Sequence, residues 1–118
     1  MSSHTIHRGD LFWADWHPVR GSEQSGRRPA LVVQTDAGNH QTRYPNTIIA
    51  AVTTAQARVP THIEVKPSED NGLSSASTIK CEQLLTISKD RLDGYIGHLD
   101  TDLMQSVDDA IKLALGLG

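Results

Sequence analysis

Apolar positions along the chain fall into short runs separated by polar, turn-forming stretches. Leu11-Phe12-Trp13-Ala14 is an aromatic, apolar run that predicts a first strand. Asp15-Trp16-His17-Pro18 ends it, because Pro18 cannot donate to a sheet ladder. The second strand is predicted over Ala30 to Gln34, and Thr35-Asp36-Ala37-Gly38-Asn39 after it is turn chemistry. Thr47-Ile48-Ile49-Ala50-Ala51-Val52 is nearly continuous in apolar character, which predicts a strand buried on both faces and ending at Thr53-Thr54. Pro60 to Val65 alternates apolar and polar, as a strand with one wet face does. Ala76 to Cys81 and Gln83 to Ile87 predict two short strands or one bent strand. Ser88 to Arg91 reads as one helical turn, and Gly94 to Leu99 as a last strand. Beyond Asp100 or Thr101, either of which can cap a helix, Leu103, Val107, Ala110, Ile111 and Ala114 recur at helical spacing. Gly116 stops that helix.

Many short strands, no βαβ rhythm and one terminal helix predict a mainly β (α+β) domain. The expected form is a small antiparallel barrel with a C-terminal helix, one domain over 1–118, with residues 1–7 as a flexible tail. There is no internal repeat. Net charge is only −3, so overall charge does not itself imply a nucleic-acid ligand. The distribution is uneven, however. Residues 1–62 hold six Arg, no Lys, and four acids, whereas the acids dominate residues 63–118. An Arg-rich face in the first half is therefore possible. Cys81 is the only cysteine; it predicts a small buried hydrophobe and fits a reducing, cytoplasmic setting. No apolar run is long enough to span a membrane.

Candidate chemistry concentrates in Gly21-Ser22-Glu23-Gln24-Ser25-Gly26-Arg27-Arg28-Pro29, which runs straight into the apolar Ala30-Leu31-Val32-Val33. A polar loop carrying a carboxylate and an amide thus ends in two arginines at the root of a buried strand. Arginine is a planar, permanently charged donor suited to a phosphodiester. No P-loop, GxGxxG, HExxH or paired Cys/His spacing is present, so neither a metal nor a cofactor is expected. RNA can be cut without either, by attack of its own 2′-hydroxyl on the adjacent phosphate. That path needs a base, an acid for the leaving 5′-oxygen, and positive charge on the developing oxyanion. Arg28 can supply the charge, Thr53 can hold a phosphate oxygen, and Glu23 is the loop carboxylate placed to act as base. The competing role for Arg28 is structural, pairing with Glu23 or Asp36. A two-histidine mechanism would have to use His17 or His62, the histidines near predicted strand ends.

These residues carry a resemblance. RGDLFWADWHPVRGSEQSGRRPALVVQTD, NTIIAAVTT, PTHIEV and CEQLLTISKDRL, in that order, look like the MazF/PemK family of toxin endoribonucleases. The resemblance implies an SH3-like barrel that forms homodimers and cuts single-stranded RNA (mRNA) at short motifs without metal. The expected products are a 2′,3′-cyclic or 3′-phosphate and a 5′-hydroxyl. It implies a cognate antitoxin that covers the site with an extended segment. By position it makes Arg28 and Thr53 catalytic, with Glu23 the proposed base. It makes Ser22, Gln24 and Arg27 RNA contacts, and sets Glu82 and Gln83 beside the RNA groove. Leu85 departs from the family pattern, which often has a basic residue there. Two other classes remain open: a non-enzymatic toxin of this fold that binds a DNA topoisomerase, and an inert interaction module.

Overall fold

The computed structural model describes residues 5–15 and 26–118. Six strands form one antiparallel sheet, β1 (Asp10–Asp15), β2 (Arg27–Val32), β3 (Asn46–Thr53), β4 (His62–Val65), β5 (Ser77–Ser88) and β6 (Leu92–His98). A short helix α1 (Asp36–Asn39) follows β2, and a longer helix α2 (Thr101–Leu115) ends the chain. The order across the sheet is β4-β5-β3-β2-β1-β6.

Strand alternation divides the sheet into two faces. On one, Leu11, Leu31, Ala50, Val52 and Ile79 pack with Val107 and Ala110 of α2, and the helix lies on β4 and β5. On the other, Phe12, Ala14, Ala30, Val32, Ile49, Ile87 and Leu92 form a second cluster. The predicted helical stripe is therefore the one that packs on the sheet. Cys81 is fully buried, and burial pushes its thiol up to about 11.

Several expectations need correction. The barrel is not closed: β4 and β6 stand at opposite edges of the sheet. The segment after β4 occupies the edge that β4 would need, since His98 N–H donates to the Asp70 carbonyl at 3.0 Å. Gly72 and Gly97 permit that approach, because a Cβ on either would strike the opposing backbone. The second strand begins at Arg27 rather than Ala30. Pro29 is tolerated inside it because the ladder with β3 starts one residue later, at Ala30. The turn after β2 is one turn of helix. Of the two readings offered for residues 76–87, the single bent strand is the one formed, as Ser77–Ser88. Of the tail predicted over 1–7, residues 1–4 lie outside the described residues. Ile6 packs on the second cluster, and His7 N–H donates to Asp10 Oδ2 at 2.9 Å.

Asp100 is the N-cap of α2, its carboxylate accepting from Leu103 N–H at 2.7 Å, and Gly116 is the left-handed C-cap. Asp100→Ala is expected to cost about 1 kcal/mol in chemical denaturation, with the sheet unchanged.

Candidate active site

Arg28 and Thr53 stand at the same end of neighbouring strands. Gly26, with φ +108, turns the chain into β2, a conformation that an L side chain resists. Three backbone pairs set the β2–β3 register: Ala30 opposite Ala51, Leu31 opposite Ala50, and Val32 opposite Ile49. The paired ladder stops at Ala30–Ala51. Arg28 and Thr53 each lie two residues outward of that pair, and strand alternation puts them on the same face. On its other sides Arg28 faces Ala14 across β1, and Thr53 faces Thr78 across β5. One lateral row therefore runs Glu64, Thr78, Thr53, Arg28, Ala14, Leu92. The row beside it runs His62, Lys80, Ala51, Ala30, Phe12, Tyr95.

The Thr53 hydroxyl is held from behind. Its Oγ1 accepts from Ala55 N–H at 3.2 Å, while Thr78 Oγ1 donates to the Ala55 carbonyl at 2.7 Å. With one lone pair so occupied, the Thr53 O–H proton is left to donate toward an anion. Arg28 is half-buried and has no hydrogen-bond or ion-pair partner among the described residues. Its proposed structural partner Asp36 instead accepts from Arg8 N–H at 2.6 Å and from Asn39 at 3.2 Å. Burial opposes charge on Asp36, but those hydrogen bonds outweigh it and the carboxyl sits below its ordinary value.

Arg27 projects to the opposite face. Its guanidinium lies 5.1 Å from the Trp13 ring centroid and bonds Asp93, at 3.0 Å to the carboxylate and 2.6 Å to the carbonyl. A contact with the same phosphate as Arg28 is thus not prepared for it. Ser22, Glu23 and Gln24 lie outside the described residues, as do Trp16 and His17.

Glu82 and Gln83 occupy a bulge. Ala50 pairs with Leu84 and Ala51 with Lys80, so Cys81, Glu82 and Gln83 have no partner on β3. Gln83 is exposed there. Glu82 accepts from Thr61 Oγ1 at 2.7 Å and meets His62 Nε2 at 2.9 Å. Arg58 N–H donates to His62 Nδ1 at 3.1 Å, so the ring proton belongs on Nε2, aimed at Glu82. Both ring nitrogens are engaged, and His62 is not poised as a base.

The model of PemK-like, MazF-like toxins of type II toxin–antitoxin systems matches residues 7–115. The chain belongs to that family. It is 45% identical over 115 residues to Endoribonuclease EndoA of Bacillus subtilis, covering 95% of this chain and 96% of that protein. A mycobacterial endoribonuclease solved with its cognate antitoxin superposes with a TM-score of 0.79 at 26% identity, covering 96% of this chain and 97% of that one. MazF from Deinococcus radiodurans has the same fold, with a TM-score of 0.77 at 24% identity, covering 97% and 99% of the two chains.

Within this MazF-like chain the sequence pointed to Arg28 and Thr53, but not to Thr78, Lys80 or the tie from Glu82 to Thr61 and His62. Alternation in Ser77-Thr78-Ile79-Lys80-Cys81 marks Thr78 and Lys80 as sharing a face. Nothing in it says that Arg28 is on that face.

Burial works against the Glu82 carboxylate, yet the bonds from Thr61 and His62 hold it below its ordinary 4.5. A depressed carboxyl stabilises the fold above its ordinary value and loses that contribution as pH falls through the lower, folded one. Glu82→Gln should therefore melt below wild type at neutral pH. The gap between the two melting temperatures should narrow as pH drops below about 4.5, the ordinary Glu value.

Proposed function

We propose that this toxin is an endoribonuclease that cuts single-stranded RNA, with Arg28 and Thr53 on the scissile phosphate and Glu23 as general base. The observation that carries this reading is a half-buried guanidinium with no partner among the described residues, on the same face and at the same strand end as a hydroxyl with one lone pair already taken. Leaving a half-buried cation unpaired costs free energy that an arriving anion recovers. In the proposed reaction the 2′-oxygen loses its proton to the base and bonds to phosphorus. The phosphorus–O5′ bond then breaks, and O5′ takes a proton. A 2′,3′-cyclic phosphate and a 5′-hydroxyl result. The Arg28 fork offsets charge on the non-bridging oxygens, and the Thr53 O–H donates to one of them. No metal enters this chemistry, and no three metal-ligating side chains converge among the described residues.

The 45% identical Bacillus relative, named as an endoribonuclease, supports an enzyme over a topoisomerase-binding toxin. Partners follow from the family. We place a cognate antitoxin over the site; the mycobacterial endoribonuclease was solved in complex with its cognate antitoxin, and the Deinococcus MazF with MazE. The working form is a homodimer of single-domain 1–118 chains. We place its action in the cytoplasm, where its RNA substrate is; no helix among the described residues is long and apolar enough to cross a membrane. Single strands suit the site because their bases splay and stack, and phosphate contacts hold the strand while base-edge contacts select its sequence.

A long defined RNA incubated with the wild-type protein and EDTA should yield 5′-hydroxyl ends at a short recurring motif. Arg28→Ala should lower kcat by at least 10²–10³-fold, the loss typical of removing one oxyanion donor, while the protein remains folded by circular dichroism. Cleavage by Arg28→Ala at the wild-type rate would remove the assignment. Glu23→Gln should slow cutting and displace the acidic limb of the pH–rate profile; an unmoved limb would strip Glu23 of the role of base.

A further inference from the structure

Most of the described cations are accounted for. Arg8 bonds Asp108 at 2.6 Å and the Val33 carbonyl at 2.8 Å. Arg27 is taken by Asp93 and Trp13. Lys89 Nζ donates to the carbonyls of Gly38, Gln41 and Tyr44, and Arg91 donates to the Asp15 carbonyl. Arg43, Arg58, Lys66 and Lys112 are exposed, where water solvates them. Two described cations remain that are half-buried and have no hydrogen-bond or ion-pair partner for their charge: Arg28 and Lys80. They share one face. Lys80 sits opposite Ala51, two residues before Thr53, so it is a diagonal neighbour of the Thr53 hydroxyl. Diagonal neighbours have Cα atoms about 7–8 Å apart, within the reach of a lysine side chain.

We infer that Lys80 is a second phosphate-binding residue of the RNA track, holding the backbone one step along from the phosphate on Arg28 and Thr53. This rests on the cleavage reading above. From Arg28 to Lys80 is two strand spacings across and two residues along, about 12 Å between Cα atoms. Both side chains are long enough to converge on neighbouring phosphates of one strand. The track crosses the rows diagonally: from Arg28 on β2, over β3, to Lys80 in the neighbouring row on β5, toward His62 on β4. No acid among the described residues forms a salt bridge with Lys80: Glu82 is engaged by Thr61 and His62, and Glu64, exposed opposite Thr78 and diagonal to Lys80, does not close on it. A point charge that meets phosphate reads no base, so Lys80 sets affinity and position rather than motif.

The test measures binding of a single-stranded RNA that spans a mapped cut site and carries 2′-deoxyribose at the attacking position, so that it is not cleaved. Affinity is titrated against salt for the wild-type protein, Lys80→Gln and Lys80→Arg. One phosphate contact on a single strand contributes about 0.7 to the slope of log affinity against log salt. Lys80→Gln should lose that much slope and bind roughly 5-fold more weakly near 0.1 M salt, the gap closing toward 1 M. Lys80→Arg should restore both. On cleavable RNA the defect should appear in KM rather than kcat. An unchanged slope and affinity in Lys80→Gln would overturn the inference, as would a loss confined to kcat. Because the probe reads binding alone, failure of Lys80 is separable from failure of the cleavage reading, which the Arg28→Ala digest decides.

Discussion

The site depends on the register between β2 and β3. Three backbone pairs set it, and the residues in them are apolar and largely buried. A slip of one residue would turn Ala30, Val32 and their partners to the wrong face. It would also turn Arg28 to the face opposite Thr53, because both lie two residues outward of the last pair, Ala30–Ala51. Core packing and site geometry are thus one constraint. The second cluster, with Phe12, Ala30, Val32 and Ile49, holds the register, and the polar end of that face inherits it.

Around this ladder the structure separates cations with partners from cations without. Arg8 ties the N-terminal segment to Val33 and to Asp108 on α2, and Lys89 ties the start of β6 to three carbonyls between α1 and β3. Those charges are structural. Among the described residues, Arg28 and Lys80 are half-buried without such partners, which is why we propose that an RNA phosphate meets them. Net charge conceals this entirely: a chain at −3 can still present a local cationic track where its acids face elsewhere. The Glu82 bulge adds to the separation, because it keeps the Glu82 carboxylate occupied by Thr61 and His62 beside Lys80.

The hydroxyl of Thr53, which we propose meets the phosphate, is held by neighbours that would not touch it. Ala55 N–H occupies one lone pair of Thr53, and the buried hydroxyl of Thr78 anchors the Ala55 carbonyl. Such support from behind restricts how the hydroxyl can point before substrate arrives, which is how preorganised donors avoid reorganisation during reaction.

Local sequence determined the strands and the terminal helix, with a cap at Asp100 or Thr101 and its stop at Gly116, the buried character of Cys81, and, through the Arg-Arg-Pro block, the arginine at the strand root. These are local properties, decided by side chains a few residues apart. Tertiary structure decided what depends on partners distant in sequence. It put Arg27 and Arg28 on opposite faces, and drew Glu82 to Thr61 and His62. It replaced barrel closure by the 66–76 segment along β6, and brought Thr78 and Lys80 to the face of Arg28. Alternation tells which residues of one strand share a side. Only pairing between strands, set by core packing across the whole sheet, tells which sides meet.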